Sequence, residues 1–264
     1  MKRVYDLFVS GGKDSVVAGT IAFEEAKQQI IEARVVFINA LKAFKVPDHL
    51  IPYKPLDYVR KFSEWLGAEL IVLEPDFDYW EGVKRWGYPM YIINRWCMEK
   101  LKRKPLEEFL YKEVKQGYRP TWIFGYRREE SWRREKIYTQ KKMIWKLGGI
   151  WVENYYPILD WTERQVDEFI RKREIPENPL WRLGFSLECL CMAGTTRRQL
   201  DKMITTFPEL FKYLAEKDKE VQQVRRRKDP TYIAPLEDIK EPLHIYVEKK
   251  LREPKITDYI KKNS

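Results

Sequence analysis

The 264-residue chain is poor in the residues that build small secreted or metal-rich proteins, with three cysteines, two histidines and twelve glycines. Three thiols cannot make a disulfide framework, so any role for them is that of thiolates or of small buried side chains. Near-absence of histidine argues against a zinc centre. No apolar stretch approaches the ~20 residues of a membrane-spanning helix, and the first residues enter an apolar segment with no secretory pattern. The expectation is a cytoplasmic protein with no membrane association. No internal repeat is visible. A charge-rich, histidine-poor and glycine-sparse composition also fits a thermophile, in which ion-pair networks are enriched.

Apolar residues make up 44% and aromatics 14% of the chain, which excludes a disordered protein, and ten tryptophans need at least partly buried sites. Lysine and arginine outnumber the acids 50 to 40, for a net charge of +10. That balance favours acidic partners such as nucleotides, tRNA or DNA. Much of the charge is nevertheless of mixed sign, as at Glu107, Glu108, Lys112, Glu113 and Lys115, and reads as solvated helix surface.

The most informative segment is Ser10-Gly11-Gly12-Lys13-Asp14-Ser15. It follows the apolar run Val4–Val9 and opens a helical stretch from Asp14 to Gln28. A strand that feeds a glycine turn and then a helix is a place for an anion: the glycines let the backbone approach it, and the first helical amides and helix dipole favour negative charge. Lys13 adds a point charge, and Ser10 and Ser15 add hydroxyl donors. The spacing excludes a Walker A loop, in which Ser or Thr follows the lysine, and a dinucleotide fingerprint, which needs three spaced glycines.

Strand-like and helix-like segments alternate through the first 160 residues. Val4–Val9, Ala33–Ile38, Glu69–Leu73 and Thr121–Phe124 read as strands. Asp14–Gln28, Leu56–Leu66 and Leu106–Lys115 read as helices. This rhythm predicts an α/β protein with a Rossmann-like, mostly parallel sheet and helices on both faces, followed by a helical C-terminal region. Ligands of such sheets sit beyond the carboxyl ends of the strands. The Ser10–Ser15 loop, the segment after Ile38 and the segment after Phe124 all lie there. After Asp160 the pattern turns helical: Thr162-Glu-Arg-Gln165 is a capping box, and Thr195–Thr205 and Pro208–Arg226 are further helices. The division expected is a nucleotide-binding domain over 1–160 and a helical region over 161–264. The latter holds the cysteine pair, the basic run Arg225–Lys228 and an arm from 229 that is suited to docking on a second subunit.

A second cluster, Gly125-Tyr-Arg127-Arg-Glu129-Glu130-Ser131-Trp-Arg133, sets permanently charged planar donors beside the phosphate loop. Glu129 or Glu130 can fix an arginine. The same cluster also reads as a basic helix start on the surface.

The hexapeptide at 10–15 resembles the SGGxDS loop of the adenine-nucleotide alpha hydrolases, also called ATP pyrophosphatases. Gly125-x-Arg127 with Glu130-Ser131 resembles the GxRxxES segment of the phosphoadenosine phosphosulfate reductase-like branch of that superfamily. Pro157-Ile-Leu-Asp160-Trp161-Thr162-Glu163 and Arg95-Trp96-Cys97 with Leu101-Lys102 and Pro105-Leu106 are similar to two further segments of the branch, so the likeness runs over roughly residues 4–192. It implies that the loop holds pyrophosphate as ATP is cleaved between its α and β phosphates. Lys13, Asp14 and Arg127 would then be catalytic, with Asp14 a magnesium ligand, and Ser10, Gly11, Gly12, Ser15, Asn39, Gly125, Glu130, Ser131 and Arg133 would line the nucleotide. The branch usually has an acidic DTG-like motif after the second strand, where this chain has Asn39-Ala-Leu-Lys42.

The resemblance also implies an iron–sulfur cluster on Cys97, Cys189 and Cys191, since cysteines at these places ligate one in the branch. Cys-Leu-Cys is one residue tighter than the usual pair. Two reactions fit the branch: ATP-dependent activation of an acceptor followed by sulfur transfer, or reduction of an adenosine phosphosulfate with release of sulfite. The standard reductases carry a C-terminal ECGLH-type motif that is absent here, which favours activation. A relative that binds nucleotide or RNA without turnover is the third alternative.

Overall fold

A computed structural model describes residues 1–89, 95–184, 187–225, 239 and 241–252. In chain order the elements are β1 (Lys2–Phe8), α1 (Lys13–Gln28), β2 (Glu32–Ile38), α2 (Pro55–Leu66), β3 (Glu69–Leu73), α3 (Tyr79–Trp86) and the single turn α4 (Trp96–Met98). They continue with α5 (Lys104–Lys115), β4 (Tyr118–Ile123), α6 (Trp132–Ile137), β5 (Lys142–Leu147), β6 (Ile150–Tyr155), α7 (Glu163–Arg173), α8 (Arg197–Thr206), α9 (Pro208–Arg225) and α10 (Leu243–Arg252).

The six strands form one sheet in the order β3-β2-β1-β4-β6-β5, parallel except for β5, which pairs antiparallel with β6. Alternation of side chains along each strand gives the sheet two apolar faces. Tyr5, Leu7, Val35, Phe37 and Ile123 point to one, where they pack with residues of α1, α2 and α7. Phe8, Val36 and Trp122 point to the other and pack with Phe109 and Leu110 of α5. The expected Rossmann-like sheet with helices on both faces is therefore what the chain forms. The same alternation turns Asp6 and Arg34 toward Glu113 of α5, where Arg34 Nη2 donates to Asp6 Oδ1 at 2.7 Å and to Glu113. All three side chains are buried.

The expected strands and helices appear to within a few residues, and the hairpin β5–β6 is an addition. Its signal is Gly148-Gly149, both at positive φ (+54° and +86°), between two strand-length runs. Two successive left-handed residues make the kind of turn that matches strand twist.

Two compact units share the chain: residues 1–42, 53–76 and 100–189 form one, and 43–52, 77–99 and 190–264 the other. The first contains the whole sheet. Among the described residues the α-helices of the second are α3, α4, α8, α9 and α10, while α7, at the start of the 161–264 region, belongs to the first. In the second unit Asp218, fully buried, accepts from Tyr88 Oη (2.7 Å), Gln222 Nε2 (3.2 Å) and the His244 amide (3.0 Å), and its other contact is His244 Nδ1 at 2.6 Å. Arg226–Lys228 and most of the arm beyond 229 lie outside the described residues. Among the described residues no helix is long and apolar enough to cross a membrane.

Candidate functional site

The strand order reverses at β1, whose helix leads on to β2 on one side while β4 lies on the other. A crevice beyond the carboxyl ends of two such strands is where open α/β sheets take ligands. The loops leaving β1 and β4 meet at this point, and the loop Ser10–Gly12 is tightly specified. Gly11 has φ +87°, a region L-residues with side chains avoid. Its carbonyl accepts from Asn178 Nδ2 at 3.0 Å and Trp181 Nε1 at 2.8 Å. Asn178 is itself buried and caps the Pro179–Leu183 turn by accepting from the Leu180 amide at 3.0 Å. Tyr58 of α2 completes this wall: its hydroxyl donates to the Pro176 carbonyl at 2.9 Å, and its ring meets Trp181 edge to face.

The two serines brace the loop from within. Ser15 Oγ donates to the Gly12 carbonyl at 2.8 Å and accepts from the Ser10 amide at 3.2 Å. With Gly11 turned and its carbonyl held away, the N-terminus of α1 faces the crevice. Gly12 is its N-cap, and no side chain caps it. α3, α6, α7 and α8 receive caps from Asp78, Ser131, Thr162 and Thr196, whereas α1, like α2 and α5, has none; of these three, α1 starts where the loops of β1 and β4 meet. The unsatisfied amides and dipole of α1 are thus left for an anion. Lys13 reaches from this turn to Asp167 of α7, with Nζ 2.8 Å from Oδ1.

Gly125 brings in the second loop. A Cβ there would lie 2.5 Å from the Ser15 amide nitrogen and closer still to the Asp14 carbonyl, so the β4 loop rests directly on the first turn of α1. Two residues on, the buried Arg127 donates through Nε to Asp14 Oδ1 at 3.0 Å and through Nη1 to Glu129 Oε2 at 2.7 Å. Burial holds the Asp14 carboxyl above its ordinary range, against the opposing pull of Arg127. Glu129 also accepts from the Glu163 amide of α7 at 2.9 Å. Glu130 accepts from the Arg127 amide at 3.2 Å and pairs with Arg134, while Ser131 caps α6 by accepting from the Arg134 amide at 3.2 Å. The exposed Arg133 lies on α6. Arg128 ties the loop to the following segments through Asp160 and the carbonyls of Tyr138 (3.0 Å) and Thr139 (2.6 Å).

Ser10 to Ser15, Gly125, Arg127 and Glu130 are therefore assembled in one place. Asn39, at the end of β2, donates to Glu74 Oε1 at 3.2 Å, beside the ion pair of Lys42 with Glu74. Sequence reasoning missed Asn178, Trp181, Tyr58 and Asp167. Ile175-Pro-Glu-Asn-Pro179 reads as a helix breaker, whereas Asn before Pro is also the start of a capped turn.

Cys97 and Cys191 face each other in the helical unit, where the thiol of Cys191 beside it, with burial, pushes Cys97 far above the usual thiol range. Cys191 also offers its carbonyl to Tyr79 Oη at 3.3 Å. Cys189 belongs to the sheet-containing unit, next to Glu188, whose carboxylate is 2.6 Å from Lys102 Nζ. Among the described residues no three His, Cys, Asp or Glu side chains are grouped to hold a metal ion. Cys97 and Cys191 thus supply two adjacent thiols, and an iron–sulfur cluster on Cys97, Cys189 and Cys191 is what the family resemblance implies.

Comparison with known proteins gives the family. Residues 5–189 match the family described as phosphoadenosine phosphosulfate reductase domain. Two uncharacterised proteins of Methanocaldococcus jannaschii are similar, one 32% identical over 203 residues (76% of this chain, 44% of the relative) and one 27% identical over 215 (80% and 40%). The chain thus spans less than half the length of the curated relatives it matches over most of its own length. A phosphoadenosine 5′-phosphosulfate reductase of Proteus mirabilis is 32% identical over 76 residues, 28% of each chain. A crystal structure of phosphoadenylyl-sulfate reductase from Candida auris in complex with phosphate aligns with TM-score 0.44 and 18% identity, over 70% of this chain and 79% of that one.

Proposed function

The chain belongs to the phosphoadenosine phosphosulfate reductase domain family, and we propose that it uses this fold to bind ATP, cleave it between the α and β phosphates and so activate an acceptor for sulfur-related group transfer. The observation that carries this reading is the uncapped N-terminus of α1 behind Gly11-Gly12, with Lys13 and an Arg127 held by Asp14 and Glu129 beside it.

In this reading the β and γ phosphates lie against the first amides of α1, and Lys13 supplies a mobile point charge. An acceptor oxygen attacks the α phosphorus. The bond from that phosphorus to the bridging oxygen breaks, pyrophosphate leaves into the Ser10–Ser15 loop, and the acceptor's proton passes to solvent. Arg127 is held by Asp14 and Glu129 before any ligand arrives, so its charge is in place as the leaving group develops its own. A sulfur nucleophile, as hydrosulfide or a thiol, then attacks the adenylated centre and AMP departs. Magnesium arrives with ATP as part of the substrate. The Asp14 carboxylate is engaged by Arg127 in this arrangement, and no step is assigned to it as a metal ligand.

Release of sulfite from an adenosine phosphosulfate is the second reading, favoured by the reductases among the similar proteins. Calorimetric titration of anaerobically purified protein separates the two. Preference for a non-hydrolysable ATP analogue with magnesium, and formation of AMP and pyrophosphate from ATP, supports activation. Preference for adenosine phosphosulfate or its 3′-phosphorylated form, with sulfite as product, overturns it.

A further inference from the structure

Exposed tryptophan is uncommon, because so large a ring gains most from burial. Here Trp132, Trp145 and Trp151, with Ile144, are exposed within twenty residues of chain, at 71%, 39%, 67% and 68% of their surface. The antiparallel register of the β5–β6 hairpin sorts part of this set onto one face. Lys142 pairs with Tyr155, Ile144 with Glu153 and Lys146 with Trp151, so these six side chains share a side of the two strands. Toward β4 that side is closed, since Tyr155 donates to Glu25 of α1 at 3.0 Å. Outward along the hairpin it is open, with Trp151 and Ile144 in solvent.

The cations are arranged around the rings rather than apart from them. Lys146 Nζ lies 5.5 Å from the Trp151 ring centroid and Lys142 Nζ 5.2 Å from that of Tyr155. On α6, Lys136 lies 4.9 Å from the ring of Trp132. Glu153, the one acid among the six side chains, is 3.9 Å from Lys142, and Glu25 lies at the closed end on Tyr155. An exposed indole on two strands, edged by lysines, offers a stacking face and phosphate contacts, and every base has a face that can stack.

We propose that this face of the β5–β6 hairpin is a docking surface for an unpaired RNA segment, which stacks on Trp151 while its phosphates lie on Lys142 and Lys146. A second copy of the chain fits the same surface less well. Edge-to-edge pairing of β5 with itself about Ile144 would set Lys142 of each copy opposite Lys146 of the other, and like charges directly opposite are destabilising. RNA is favoured over DNA because its loops and ends present unpaired bases, whereas DNA is mostly duplex. The proposal stands independently of the nucleotide reading.

The test is fluorescence anisotropy of a labelled twelve-nucleotide oligouridylate, a duplex RNA of equal length and an oligothymidylate, with wild-type and variant full-length chains. The oligouridylate is expected to bind best, with affinity falling log-linearly in salt. Trp151→Ala should weaken it about tenfold and Trp151→Phe by less than about threefold, because a ring still stacks. Lys142→Ala with Lys146→Ala should reduce the salt slope by about 1.4, the value for two contacts on a single strand. Trp65→Ala, which removes an exposed tryptophan of α2, should change nothing. Equal binding by the Trp151→Ala variant, no binding at low salt, or equal or tighter binding of duplex RNA or oligothymidylate would each overturn the assignment. A dimer in light scattering that dissociates on Trp151→Ala would give the face to a second copy instead.

Discussion

Gly125→Ala is the sharpest perturbation of the proposed site, because what the new methyl meets is backbone. Its Cβ would stand 2.5 Å from the Ser15 amide nitrogen and nearer to the Asp14 carbonyl, where ordinary contact begins at 3.4 Å. Relief requires the β4 loop and the first turn of α1 to separate by about 1 Å, since neither partner has a rotamer to change. Overpacking of this kind costs about 1–3 kcal/mol of stability. The same shift breaks the 3.0 Å contact of Arg127 Nε with Asp14 Oδ1. A catalytic group misplaced by about 1 Å costs on the order of a hundredfold in rate. Urea denaturation and pyrophosphate release, measured on one preparation, read the two effects separately. Gly12→Ala is the matched comparison, because its Cβ would meet only Ser10 Oγ, at 3.5 Å, and φ there is −78°. It should leave stability within about 0.5 kcal/mol and weaken nucleotide binding by crowding the phosphate. A Gly125→Ala protein with wild-type stability and turnover would refute the claim that direct contact between the two loops sets the site.

Lys13→Ala should slow pyrophosphate release with little change in the denaturation midpoint, and unchanged turnover would remove the lysine from the mechanism. Asn178→Ala combined with Trp181→Phe deletes both donors to the Gly11 carbonyl, and nucleotide affinity should fall about tenfold as the loop loses its set conformation, as read by calorimetry. Burial, with Glu113 beside it, raises the Asp6 carboxyl above its ordinary range, so the folded protein keeps a proton that the unfolded chain has released above about pH 4. Its contribution to stability is full below that pH and declines as pH rises toward the folded-state value; Asp6→Asn should flatten this part of a denaturation series. Asp218→Ala leaves Tyr88, Gln222 and His244 without their shared acceptor and should cost about 2–4 kcal/mol in the same assay.

The sequence by itself determined the local features. A phosphate loop was legible because Gly-Gly between an apolar run and a helix has few other uses, and Thr162 with Gln165 predicts a capping box that the structure contains, with Gln165 Oε1 accepting from the Thr162 amide at 2.8 Å. The parallel sheet followed from strands that are apolar on both faces, such as Val35, Val36 and Phe37. The β5–β6 hairpin is signalled by Gly148-Gly149, but the apolar run of its outer strand is only Met143-Ile144-Trp145, set between lysines.

Tertiary structure alone decided which distant residues complete the site. That Asn178 and Trp181 hold a carbonyl more than 160 positions away has no periodicity to reveal it. Nor does spacing show that Asp167 meets Lys13, or that Glu129 serves both Arg127 and the start of α7. The pairing of Cys97 with Cys191, ninety-four positions apart, is of the same kind. Sequence patterns report what a residue does to its own turn or strand. Long-range partners are set by how strands order in the sheet and by which loops that order brings to one edge.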